Sequence, residues 1–188
     1  MKIVLIIIIF ISFKSFSLEY GSETGLKIPR YVSIKSNDAN VRIGPSINYP
    51  IVIKYVVENY PIIIDDEYDD WRKIKDSQGN TGWIHKSLIK GERNGIIINH
   101  DEKNPVKIYN SADGKIIGEI YTDIIVKLEK CKISWCLISF KKNKGWVQKN
   151  YLWGVDLNEE FNLNLFQKFT DLYWLSLNNL DNIFIKLK

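Results

Sequence analysis

Few residues in this chain of 188 are of a type that does covalent chemistry. The only histidines are His85 and His100, and the only cysteines are Cys131 and Cys136. A zinc site takes three or four ligands at short spacing, and neither histidine has such neighbours. No serine lies in a G-x-S-x-G turn, no cysteine has a downstream His and Asn, and no glycine-rich phosphate loop occurs. The expectation is therefore no catalysis, no metal and no cofactor. Cys131 and Cys136 lack CxxC spacing, which disfavours a redox or nucleophilic thiol. In an exported chain an even count fits a disulfide, and one closing so small a loop is worth about 2 kcal/mol. The run Asp65-Asp66-Glu67-Tyr68-Asp69-Asp70 packs carboxylates densely, but it lacks the glycine and distal glutamate of an EF-hand calcium loop. It reads as a solvated hairpin tip joining two strands.

The elements that would position side chains are written twice. GWIHKSLI (82–89) returns as GWVQKNYL (145–152), and Trp71 returns as Trp135. Between these landmarks each copy has a Trp-led alternating strand, a polar turn, then Gly-Trp, an aliphatic residue, a polar residue and Lys. Val41-Arg42-Ile43 lines up with Val106-Lys107-Ile108. The offset, slightly over 60 residues, is the size of a small domain able to fold by itself. Alternating or β-branched runs predict strands over 31–35, 51–56, 62–64, 71–75 and 81–85. A turn at 76–80 makes the last two a hairpin. The second copy predicts strands near 105–109, 116–121, 123–130, 135–140 and 144–148. In 71–75, Trp71 and Lys73 share one face while Arg72 and Ile74 share the other, so the pattern does not say which is buried. Ile96-Ile97-Ile98 is expected to close the first copy, with 99–104 as linker. This density of short strands is that of small all-β barrels.

The ends read differently. Lys2, the apolar run Ile3 to Phe13 and Ser15-Phe16-Ser17 have the order of a cleavable signal peptide over 1–17; the alternative is an uncleaved anchor. Removing it leaves 24 basic residues against 22 acidic, nearly balanced and with no clustered basic run, so no nucleic acid is expected as a partner. In the tail over 161–188, Leu165, Phe166, Phe169, Leu172 and Tyr173 fall on one helical face. That stretch is either a helix docked on the second copy, a helix for a partner or a membrane surface, or sequence from a shifted or extended reading frame. It has few Lys and Arg for a membrane-surface helix.

NVRIGPSINYP (40–50), DDWRKI (69–74) and GWIHKSLI resemble the bacterial SH3-like domain, particularly the exported form seen in alphaproteobacteria. The resemblance spans 29–98 well and 105–155 more weakly, through KCKISWCLISF and GWVQKNYLWGV. It implies two small antiparallel barrels in tandem, the second divergent, with no cofactor and no catalysis. In the family such domains bind peptides or cell-wall components. Gly44 and Pro45 read as the residues that shape the RxGP loop, Gly44 through backbone angles open only to glycine. Trp83, Trp135 and Trp146 read as structural, with Trp83 and Trp146 plugging the ends of the barrels.

The groove expected to bind would be lined by Arg42, Tyr49, Trp71 and His85, where aromatics and a fork-shaped donor suit an extended peptide or a muramyl stem peptide. The competing reading pairs Arg42 with the acidic run and packs Tyr49 on the barrel. The second copy lacks this loop. The expected protein is thus an exported, non-enzymatic module of the periplasm or cell envelope that binds peptidoglycan or wall peptides. The alternative is an envelope adaptor that binds a peptide segment of a partner protein. No segment is long enough to add a wall hydrolase.

Overall fold

The computed structural model describes residues 19–99, 101 and 104–163. The expected signal peptide, His100 and the expected helical face of the tail lie outside the described residues.

Among the described residues the fold is all-β, with two single-turn 3-10 helices. A short hairpin, β1 (Glu19–Tyr20) and β2 (Lys27–Ile28), precedes two seven-stranded antiparallel sheets. The first contains β3 (Arg30–Ile34), β4 (Ala39–Arg42), β5 (Ile51–Tyr55), β6 (Pro61–Tyr68), β7 (Trp71–Lys75), β8 (Thr81–His85) and β9 (Ile89–Lys90). The second contains β10 (Asn94–Ile97), β11 (Val106–Tyr109), β12 (Ile116–Ile120), β13 (Ile125–Cys131), β14 (Trp135–Phe140), β15 (Asn143–Gln148) and β16 (Leu152–Trp153). The strand orders are β5-β4-β8-β7-β6-β3-β9 and β12-β11-β15-β14-β13-β10-β16, the same path taken twice.

The repeat corrects one boundary. Ile96 and Ile97 do not close the first copy. They lie in β10, which pairs with β13 and β16 and occupies in the second sheet the place of β3 in the first. Ile97 is accordingly buried in the second core. Only Gly91, Glu92 and Arg93 separate β9 from β10. The register also moves one alignment by two residues: Arg42 faces Trp83 as Tyr109 faces Trp146, so Val41 answers to Ile108 rather than to Val106.

Each sheet covers an aliphatic core. In the first copy it is built from Ile34, Val41, Ile62, Ile64, Ile74 and Ile84, all fully buried. In the second, Ile97, Val126, Leu128, Ile138 and Val147 join the disulfide between Cys131 and Cys136, whose sulfurs face that core. The bond clips β13 to β14 where the two cysteines are direct cross-strand partners. The turn at 76–80 is organised by Asp76. Its carboxylate accepts from Gln78 N, Asn80 N and the Tyr55 hydroxyl.

The tryptophans of the paired phrase do not plug the cores. A side chain on Gly82 would strike Val41 Cγ1 at 2.5 Å, and one on Gly145 would strike Ile108 Cγ2 at 2.2 Å. Both glycines therefore face inward. Strand alternation then sends Trp83 and Trp146 outward, half-buried, and Ile84 and Val147 inward. Trp135 alone of the three is buried, under Tyr109 at a ring separation of 5.0 Å.

The acidic run is not one solvated tip either. Only Asp69 and Asp70 lie in the turn, with Asp69 at φ 50°; Asp65, Asp66 and Glu67 lie in β6. Glu67 is buried opposite Arg72, which settles the undecided face of β7: Arg72 and Ile74 point inward.

Candidate functional site

The groove on the first copy grows out of two connections and two strands that meet on the outer side of its sheet. Pro45, Ser46 and Ile47 come from the loop after β4, Asp69 and Asp70 from the β6–β7 turn, and Trp71 and His85 from neighbouring strands. The volume is about 550 Å³. Trp71 and His85 are direct cross-strand partners, and their rings meet edge to face at 5.5 Å.

His85 has a structural duty that its sequence context did not announce. Its Nδ1 accepts from Ser87 N, capping the 3-10 turn Lys86–Leu88, and lies 2.8 Å from Ser87 Oγ. Accepting at Nδ1 places the ring proton on Nε2, which lies 3.8 Å from Asp70 Oδ2. Asp70 also pairs with Lys86 at 2.5 Å, and the bond donated by that lysine lowers its pKa. The Asp69 carboxylate is exposed on the rim.

Arg42 and Tyr49 stand apart from this groove and hold the loop that forms its wall. Arg42 Nη1 donates to the Tyr49 carbonyl at 2.6 Å. The Tyr49 ring lies flat on Gly44, where a Cβ would come within 2.7 Å of it. Glycine is needed at 44 for this close approach. Its φ is not positive, since the positive-φ glycines among the described residues are Gly25, Gly79 and Gly154. Of the four expected lining residues, the structure thus joins Trp71 to His85 in the groove and Arg42 to Tyr49 behind it.

A second cluster went unread in the sequence. The Glu67 carboxylate accepts from Arg30 at 2.7 Å and from Thr24 N and Glu23 N, and it lies 3.4 Å from Arg72 Nε. Burial by itself would raise its pKa. The bonds from Arg30 and Thr24 overcome that and hold it at about 2. Gly21 packs so closely on this carboxylate that a Cβ would meet it at 2.3 Å. The cluster ties the leading hairpin to β6, and it is structural.

The single lysine of the paired phrase serves opposite ends in the two copies. Lys86 is exposed and pairs with Asp70, whereas Lys149 is buried and donates to the carbonyls of Leu157 and Glu159, fastening the chain after β16. Burial lowers its pKa.

The bacterial SH3 domain family matches residues 35–91 and 102–154. No curated protein matches the chain. Among solved structures it is similar to an NlpC/P60 family protein from Bacillus cereus, at 13% identity over 65% of this chain and 55% of that one, with a TM-score of 0.29. It is also similar to NlpC2 from Trichomonas vaginalis, at 13% identity over 68% of this chain and 50% of that one, with a TM-score of 0.29. The chain thus spans about half the length of either. The two matched segments fall on two sheets of one topology, joined at 91–93, and together cover more than half the sequence: the chain belongs to the bacterial SH3 domain family and carries that domain twice in tandem.

Proposed function

We propose that the chain is an exported, non-enzymatic binding module that holds a peptide of the cell wall in the groove of its first copy. The observation that carries this reading is the convergence of Trp71, His85 and the Pro45–Ile47 loop with the carboxylates of Asp69 and Asp70. An extended peptide lays apolar atoms along the rings and the proline, and the carboxylates favour one with a free ammonium, as a diamino acid of a stem peptide supplies. The disulfide accords with an oxidising compartment.

Sedimentation with purified sacculi at low salt tests the reading. The wild-type protein pellets with the wall, and Trp71→Ala weakens binding by about 30-fold, the effect of losing one aromatic anchor. His85→Gln, which installs the residue of the second copy, weakens it less. Wild-type protein that stays in the supernatant overturns the proposal.

A second reading, an adaptor for a protein partner, draws on the sheet edges. The edge strands β5 and β12 expose Ile51 and Val52, and Ile116 and Ile117, on backbones open to strand addition. Under that reading Ile51→Lys with Val52→Lys abolishes co-purification of the partner and leaves sedimentation with sacculi unchanged.

A further inference from the structure

The two copies differ sharply in charge. Residues 35–91 hold eight basic and eight acidic side chains, whereas residues 102–154 hold ten basic and five acidic. Most of the excess sits in three strands and the turns that join them. Between 127 and 144 the chain has Lys127, Lys130, Lys132, Lys141, Lys142 and Lys144, with Glu129 as the one carboxylate. No run of the sequence is basic enough to announce this. The β13–β14–β15 meander gathers it by placing Lys127 across from Ser139 and Lys144, and Lys130 across from Leu137 and Trp146.

Trp146 is the centre of that face. It points away from the core, with Lys130 Nζ 5.7 Å and Lys132 Nζ 5.8 Å from the centre of its ring. Two ammonium groups on one indole concentrate positive charge at this point of the face. The disulfide fixes them: Cys131 lies between the two lysines and is bonded across the hairpin to Cys136, so little backbone freedom remains to be lost on binding. The cation-flanked indole also recurs in the first copy, where Trp83 has Arg42 and Lys73 as its cross-strand neighbours.

We infer that the outer face of the second copy, centred on Trp146, Lys130 and Lys132, binds an acidic polysaccharide, a chain of sugars carrying carboxylates. A sugar carboxylate accepts charge-assisted hydrogen bonds from the ammonium groups over the indole, and the apolar C–H groups of the same sugar pack against the part of the half-buried ring that they leave open. A lipid surface is a poorer occupant. Ile133 is the one exposed large apolar side chain between 127 and 148, too little to enter a bilayer. This site is separate from the groove on the first copy and does not depend on it.

Affinity electrophoresis in native gels containing polygalacturonate, with neutral dextran as the comparison, tests the inference. The wild-type protein is retarded by the polyuronate and not by dextran, and added salt weakens the retardation. Lys130→Gln with Lys132→Gln raises the dissociation constant about tenfold, two screened charge contacts of ordinary strength. Lys54→Gln with Lys115→Gln, on other surfaces, leaves it unchanged. Trp146→Phe, which keeps a ring at the site, gives an intermediate loss, and a thermal unfolding curve on each variant separates lost binding from lost fold. Equal retardation of the wild-type and Lys130/Lys132 variants overturns the inference. So does tighter binding to phosphatidylglycerol vesicles or duplex DNA than to the polyuronate.

Discussion

Burying Glu67 between Arg30 and Arg72 ties the stability of the first copy to pH. Its carboxyl titrates at about 2 in the folded protein, against an ordinary value of 4.5. As pH falls, the unfolded chain takes up this proton first. The contribution is therefore complete above about pH 4.5 and is lost between there and about pH 2, roughly 3 kcal/mol for a shift of this size. Glu67→Gln should lower the unfolding free energy at neutral pH by a similar amount, about 3 kcal/mol. It should also flatten the acid limb of stability plotted against pH; a variant whose acid limb matches the wild type would show that another group governs it. None of this was legible in the sequence. A run of carboxylates does not mark which one turns inward, and the alternation of WRKIK left the buried face of β7 open. Once Arg72 is inward, its cross-strand partner Glu67 must be inward too. The groove was half legible for a similar reason: Trp71 and His85 share a register position, whereas Arg42 and Tyr49 are nearby in sequence and meet behind the loop.

At the scale of elements, strands were the readable part, because apolar alternation and turn residues are local signals. Trp71–Lys75 and Thr81–His85 are strands over the lengths that their patterns predict. Sheet membership is not local. Ile96 and Ile97 announce a strand but carry nothing that says which sheet takes it, and β10 went to the second. The β13–β14 hairpin gives a test at this scale. Replacing Cys131 and Cys136 together by alanine should cost about 2 kcal/mol, from the restored freedom of a short loop. Urea unfolding of the oxidised protein and of the double variant measures this. A loss far above that figure would mean that the buried sulfurs matter through packing more than through their bond.

The whole molecule depends on a joint of three residues. Arg93 pairs through both guanidinium arms with Glu159, donates to the Gly154 carbonyl at 2.9 Å, and lies over the rings of Tyr31 and Phe161. Beside it Tyr31 meets Trp153 edge to face, and Ser33 of β3 accepts from Asn94 of β10 and donates to the Glu92 carbonyl. That explains why Val32, Ser33 and Ile34 are buried in succession: the second copy covers the outer side of β3. Arg93→Ala should remove about 2 kcal/mol of coupling, the worth of a charged hydrogen-bonded pair, and split a single calorimetric transition into two. An unchanged single transition would place the coupling in the buried Ser33–Asn94 contact instead.

The matching topology also leaves a record of how the two halves diverged. Ile34 answers to Ile97, Arg42 to Tyr109, Ile51 to Ile116, Ile74 to Ile138 and Trp83 to Trp146. The spacing between successive pairs changes only in the stretches that link strands or at their ends. Strands kept their register because a slip of one residue would turn every core isoleucine outward, while the linking stretches gained and lost residues freely. The protein is one scaffold carrying two sets of exchangeable connections. The loop of the first copy, anchored by Arg42 and by the ring on Gly44, is a cassette that carries its own fastenings.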